Sequence, residues 1–250
     1  MNRYEKNKKL LSENHNYDQS MEHDACGVGM IATTDGKKSR KIVEYGIEAL
    51  KAIWHRGAVD ADGKSGDGAG IQIEIAPEFF KEKIIATGHE PDDSKRICVG
   101  MVFLPRTDYV EQEKCREIIE SVLLEENYSI YGWRQVPFNS NVLGKTAEQS
   151  RPEIAQVMFK KNENLETNDL ERNLFETRKK IEKLARKNQL KNFYICSFSS
   201  RSIVYKGMFL AEMLAEFYLD LNDKKLTSRF NFSSKIFNEY FSKLGFSSTI

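Results

Sequence analysis

Cys26 is the residue of this sequence best suited to nucleophilic chemistry. It stands in "EHDACGVGMIAT", between an acidic tripeptide and a glycine-punctuated apolar run, and strand character begins at the cysteine itself. The residues ahead of it, "MNRYEKNKKLLSENHNYDQSMEHDA", are polar, have nothing to pack with and read as a removable leader. A cut between Ala25 and Cys26 leaves the thiol on the same residue as a free α-amino group. Such an amine, with an ordinary pKa of about 7.7 to 8.0, is a ready general base, acting directly or through a water. Nucleophile and base then arrive together, with no need of a distant histidine. Gly27 leaves room for a substrate carbonyl to approach beside the sulfur.

Other reactive side chains are weaker candidates. The four cysteines, at 26, 98, 115 and 196, form no CxxC pair and no metal-ligand spacing, which argues against a disulfide framework and a zinc site. Cys98 and Cys196 lie within apolar strand-like runs and Cys115 on a charged helix, so these three read as core residues. Asp60, Asp62 and Asp67 in "HRGAVDADGKSGDGAG" suggest a metal cluster at first sight, but the interleaved glycines make them better turn formers that bond their own backbone.

The elements that position these residues follow from periodicity. A strand at "CGVGMIATT" ends at the turn "DGKK", and "SRKIVEYGIEALKAIWHRG" has helical spacing with Gly57 as its stop. After the glycine-rich loop comes the strand "IQIEIA", then a helix opened by Pro77. Further strands are expected at "RICVGMVFLP", "YGWRQVP", "IAQVMFKK", "FYICSFSS" and "SIVYKGMF". Helices are expected at "YVEQEKCREIIESVLLEEN", "NDLERNLFETRKKIEKLARKN" and "LAEMLAEFYLDL". The strands arrive mostly in neighbouring pairs, which predicts an α+β protein with antiparallel sheets covered by helices.

Composition sets the bounds. With 250 residues, 40% of them hydrophobic, the chain can bury a proper core. Lys and Arg total 38 against 37 for Asp and Glu, and a net charge of +1 supplies no field to favour nucleic acid or an anionic membrane. No apolar stretch approaches the roughly 20 residues of a membrane span. The leader has no apolar core behind Lys8 and Lys9, so it does not read as a secretory signal, and the expected location is the cytoplasm.

Taken together, "CGVGMIA", "GIEALKAIWHRGAVDADGKSGDGAGI", "PEFFK" and "SFSSRSIVYKGM" resemble the amino-terminal glutamine amidotransferase domain of the glutamate synthase large subunit, over about residues 22 to 230. The "HRGAVDADGKSGDGAGI" stretch is the most specific part, because related class II amidotransferases have a shorter HRG element without this continuation. The resemblance implies a four-layer αββα N-terminal-nucleophile hydrolase fold, incomplete at its C-terminus. It also implies a propeptide over 1–25 whose autocatalytic removal exposes Cys26, and an amidotransferase domain over 26–232. The implied reaction is attack of the Cys26 thiolate on the side-chain amide of L-glutamine, release of ammonia, and hydrolysis of the thioester to glutamate.

By the same resemblance Gly27 and Arg56 are substrate-proximal, although Arg56 reads equally well as a loop arginine tied to local carbonyls. His55 has the same two readings and is not assigned acid–base work. The ammonia would serve glutamate synthesis from 2-oxoglutarate in nitrogen assimilation. FMN and an iron–sulfur cluster are expected in the full-length oxidoreductase, none in this fragment, and the partners are the synthase domain and an electron-donating small subunit.

After "LTSRFNF" the resemblance calls for a motif of the form H-x-R-F/Y-S-T-N-T and, later, A-H-N-G-E. The chain instead reads "SSKIFNEYFSKLGFSSTI". One permitted back-translation of that tail and a TAG stop codon, with its first base dropped, reads "HQRFSTNTFPSWVLAQPF", which is the missing motif. The expectation is therefore a frameshift near Phe232, with 233–250 an out-of-frame tail. The lost arginine would hold the glutamine carboxylate and the lost H-N-G the oxyanion hole, and losing one oxyanion donor alone costs about 10² to 10³ in rate. Two alternatives stand beside the glutaminase reading: an inactive fragment or interaction module, and a stand-alone amidohydrolase of the same fold.

Overall fold

The computed structural model describes residues 27–52, 59, 61–66 and 68–235. Among the described residues, eight strands form two antiparallel four-stranded sheets. The first sheet contains β1 (Gly27–Ala32), β2 (Ala69–Glu74), β7 (Ser202–Gly207) and β8 (Phe230–Lys235), in the spatial order β1-β8-β2-β7. The second contains β3 (Cys98–Leu104), β4 (Tyr128–Gln135), β5 (Glu153–Lys161) and β6 (Tyr194–Ser199), ordered β4-β5-β3-β6.

Helices α1 (Arg40–Ala52), α2 (Pro77–Ala86), α3 (Tyr109–Glu125), α4 (Lys145–Ser150), α5 (Thr167–Lys187) and α6 (Leu214–Phe217) connect them. Proline opens α2, and Asp108 caps α3 by accepting from the Glu111 amide. On α5, Leu170, Leu174, Thr177, Ile181 and Ala185 recur every three or four residues and make one buried face. No described helix is long and apolar enough to cross a membrane.

Two apolar clusters hold these elements. One joins Val43, Ile47 and Leu50 of α1 and Phe79, Phe80 and Ile84 of α2 to the first sheet's Ile71, Ile73, Ile203 and Tyr205. It extends to Val99, Met101, Phe103, Ile154 and Met158 of the second sheet. The other packs α3 and α5 on the opposite face of the second sheet, through Cys98, Val102, Ala155, Val157, Phe159 and Ile195. Period-2 alternation separates these two sides of β3 and β5.

The expected α+β class and antiparallel sheets are present, but the strand pairing differs from the expected run of neighbours. Only β4 and β5 pair as sequence neighbours; β1 pairs with β8, and β6 and β7 leave their hairpin for different sheets. Burial on both faces rewards these non-local pairings, which short-range alternation does not reveal.

"LAEMLAEFYLDL" is not one helix. It breaks into two 3-10 turns, Ala211–Met213 and Leu219–Asn222, around the single turn of α6. Phe217 and Tyr218 are both buried although adjacent, and the Phe217 carbonyl and Leu219 amide bond to Asn139 and Pro137 instead of to a helix. Tertiary contacts override helix propensity there. The helix expected through Gly57 is described as far as Ala52; Trp54 and Gly57 lie outside the described residues.

A buried polar cluster ties the sheets together. Arg134 on β4 donates to Gln156 on β5 at 2.7 Å and is ion-paired with Asp220. Tyr205 on β7 donates to the same Asp220 at 3.3 Å, and Gln156 donates to the Tyr205 hydroxyl at 3.5 Å. Burial pushes the Asp220 carboxyl up, against the pull of the Arg134 guanidinium. Removing one partner leaves a buried charge unpaired, so Asp220→Ala should cost about 3–5 kcal/mol. The double variant Arg134→Met with Asp220→Leu should lose far less. Urea denaturation of the three chains measures the difference.

Candidate active site at one end of the first sheet

The register of the first sheet places four residues in one row: Gly27, Lys235, Ala69 and Gly207, each paired with the next. Gly27 begins β1, Lys235 ends β8, Ala69 begins β2 and Gly207 ends β7. The chain segment before β1, the glycine-rich loop before β2 and the segment after β7 therefore all meet the sheet at one end. Adjacent strands lie about 4.8 Å apart, so the starts of β1 and β2 are about 10 Å from each other.

Cys26, His55, Arg56, Asp60 and Asp67 lie outside the described residues. What is described is their frame: Gly27 on one side, and on the other Val59, residues 61–66 and Gly68. Gly68 has φ +115°, a left-handed conformation that glycine tolerates as the loop turns into β2.

The glycine-rich loop is held by Asp62. One carboxylate oxygen accepts from the Lys64 and Ser65 amides at 3.0 and 2.7 Å, and the other from the Ser65 hydroxyl at 2.6 Å. This is the turn-forming use expected of Asp62. The same carboxylate also accepts from the Thr146 amide at 3.3 Å, and the Ser65 hydroxyl accepts from the Ala147 amide at 3.2 Å. Those bonds to α4 were not legible in the sequence: α4 is six residues long, without an apolar stripe. Hydrogen bonds from Ser65 above all hold the Asp62 carboxyl far below the usual carboxylate range.

The two faces of the β1–β8 pair differ. Asn231 and Ser233 are buried on the face toward α1, where a Cβ on Gly46 would come within 2.1 Å of the Asn231 amide nitrogen. Val28 and Met30 on β1 and Phe232 on β8 show 68%, 63% and 41% exposure on the opposite face, so an apolar strip runs from the sheet end that carries Gly27. On β7, across β2 from this strip, Lys206 donates to the Tyr194 hydroxyl at 2.7 Å, and its carbonyl accepts from the buried Tyr218 hydroxyl at 2.7 Å.

The remaining cysteines are core residues, as expected. Cys98, Cys115 and Cys196 are free and buried. Burial pushes all three thiols up, Cys115 to about 12 and Cys196 to about 11. None supplies a thiolate near neutral pH.

Residues 26–242 match the family profile of the class-II glutamine amidotransferases, and the chain belongs to that family of enzymes. Within it the similarity is to glutamate synthases. The chain is 52% identical over 214 residues to the glutamate synthase [NADPH] large chain of Azospirillum brasilense, covering 86% of this chain and 14% of that one. It is 44% identical over 212 residues to the ferredoxin-dependent glutamate synthase of Pyropia yezoensis, covering 84% and 14%. To the ferredoxin-dependent glutamate synthase 2 of Synechocystis it is 42% identical over 210 residues, covering 84% and 13%. It thus spans about one-seventh of the length of these relatives.

The three buried thiols give a direct check. In the native chain at pH 8, iodoacetamide should leave Cys98, Cys115 and Cys196 unmodified for as long as the fold persists, and label all three in denaturant. Peptide mass mapping reads the outcome.

Proposed function

We propose that this chain is the glutamine-hydrolysing part of a glutamate synthase, with Cys26 as its N-terminal nucleophile. The observation that carries the reading is the row at the end of the first sheet. β1 and β2 both begin there, so Gly27 and the loop that ends at Gly68 are brought to one place from positions some forty residues apart in the chain. The match to the class-II amidotransferase profile begins at residue 26, the position the sequence marks as the mature start.

In this reading residues 1–25 are a propeptide, and 26–232 carry the amidotransferase domain of a four-layer αββα hydrolase. Residues 233–250 are an out-of-frame tail whose first three residues complete β8. Val28 and Met30 on β1 present an apolar strip that would flank the methylenes of glutamine. The free α-amino group takes the thiol proton as sulfur bonds to the side-chain carbonyl carbon. It returns a proton to the leaving nitrogen as the C–N bond breaks, so ammonia departs and a thioester remains. Water, deprotonated by the same amine, then cleaves the thioester to glutamate and restores the thiol. Gly27 gives the substrate room, and Arg56, from the loop beside β2, lies close to the bound glutamine.

In a longer protein the ammonia would meet 2-oxoglutarate in a synthase domain that carries FMN and an iron–sulfur cluster, with an electron-donating small subunit, in the cytoplasm. The three described cysteines stand apart on β3, α3 and β6, and no three His, Cys, Asp or Glu side chains among the described residues gather to hold a metal. In this reading FMN and the cluster belong to the synthase domain of the longer protein.

A second reading, a fragment that docks without turning over glutamine, is favoured by one observation. Val28, Met30 and Phe232 leave one face of the β1–β8 pair open. Glutamine hydrolysis decides between them. The first reading expects ammonia release that Cys26→Ala abolishes and that rises with pH through about 7.7 to 8.0 as the amine loses its proton. No Cys26-dependent release at any pH supports the docking fragment.

A further inference from the structure

The bonds from Asp62 and Ser65 to α4 have no role in the chemistry described above, yet they join two segments some eighty residues apart. Gly144, the residue before α4, offers no side chain to cap the helix, and Asp62 and Ser65 supply the missing acceptors to the Thr146 and Ala147 amides. The fit is close. A Cβ on Gly144 would stand 2.1 Å from the Asp62 carboxylate and 2.4 Å from the Ser65 hydroxyl, and Ser65 is buried.

α4 is a firm anchor. Its Glu148 is ion-paired with Arg106 at 2.7 Å and with Arg151 at 3.0 Å, and the Arg151 guanidinium lies 4.2 Å from the centre of the Phe138 ring. The loop side of the knot is pinned as well, by the bridge between Val59 and Gly66. Three residues beyond Gly66 the chain enters β2 at Ala69, in the row that begins with Gly27.

We infer that Asp62 is a positioning residue for the glutaminase centre: clamped to the start of α4, it fixes the loop at the sheet end where Cys26 begins, and so shapes the space that admits glutamine. The inference rests on the proposed glutaminase reading. A turn closed on its own backbone would need only the bonds to Lys64 and Ser65. The additional bonds to α4 fix where the loop stands relative to the element that follows β4, and a displacement of about 1 Å at a reacting centre can cost about 10² in rate.

The test compares two covalent probes of Cys26 in the full chain: 6-diazo-5-oxo-L-norleucine, which must bind as glutamine does, and iodoacetamide, which need not. Asp62→Ala should slow labelling by the glutamine analogue about 10²-fold and leave iodoacetamide labelling within about twofold. Hydrogen exchange of residues 59–68 should quicken about tenfold. Gly144→Ala, a change on the other side of the knot, should reproduce both effects, and stands in if Asp62→Ala does not fold.

The inference is overturned if both variants label with both probes at the rates of the unsubstituted chain. It is equally overturned if the two probes slow together, which would reduce Asp62 to general stability. An unsubstituted chain that takes iodoacetamide at Cys26 but not the glutamine analogue defeats the glutaminase reading and, with it, the assignment of Asp62 to that centre. The exchange result then still reports the clamp: a change below about twofold in both variants overturns it too.

Discussion

β8 lies between β1 and β2, and the pairing of these three strands is the constraint on which the rest of the candidate site depends. Among the described strands β8 is the partner of β1, so residues 230–235 return from two hundred positions away to hold the strand that begins at Gly27. The return is secured at its start. Arg229 donates its amide to Glu74 at 2.6 Å and its guanidinium to the same carboxylate at 2.6 Å, while Ser228 donates to the Phe230 carbonyl and accepts from the Glu74 amide. Burial opposes ionisation of Glu74, but the bonds from Arg229 prevail and hold its carboxyl below the usual range. On the α1 side, Gly46 lets the helix approach Asn231 with no side chain between them.

That constraint explains how a small number of contacts gives the site its geometry. β8 fixes β1 against β2, and Asp62 fixes the loop before β2 against α4. The cluster of Arg134, Gln156, Tyr205 and Asp220 fixes the sheet containing β2 against the sheet beside α4. The three connections close a circuit. The start of β1 is therefore referred, through backbone pairing and buried hydrogen bonds, to the same frame as the glycine-rich loop. A nucleophile carried on a chain terminus needs such a frame, because its own segment continues in one direction only and fraying would misplace it.

Much of this was legible in the residues. A strand was expected from Cys26 and is described from Gly27, and the loop with Asp62 stood out because glycine and aspartate alternate there. The helices at Arg40, Pro77, Tyr109 and Thr167 announce themselves by period or cap, and three buried cysteines were recognisable from their apolar surroundings. What escaped notice had no local signal. β8, "FNFSSK", is short and polar on one face, and it is a strand only because β1 and β2 offer it a ladder. α4 lacks an apolar stripe, and the helix expected at "LAEMLAEFYLDL" gives way because Phe217 and Tyr218 are both required in the core. Neighbouring strands were expected to pair, whereas sheet membership is decided by burial at long range.

The central claim is that Cys26 acts as an N-terminal nucleophile and unmasks itself. The amino-terminal sequence of the purified chain, and of its Cys26→Ala variant, tests it most directly. The account predicts that glutamine-hydrolysing protein begins Cys26-Gly27-Val28, while the variant keeps the leader from Met1 to Ala25. Glutamine hydrolysis by a chain that still begins at Met1 would contradict it, as would a variant that loses its leader as readily as the parent.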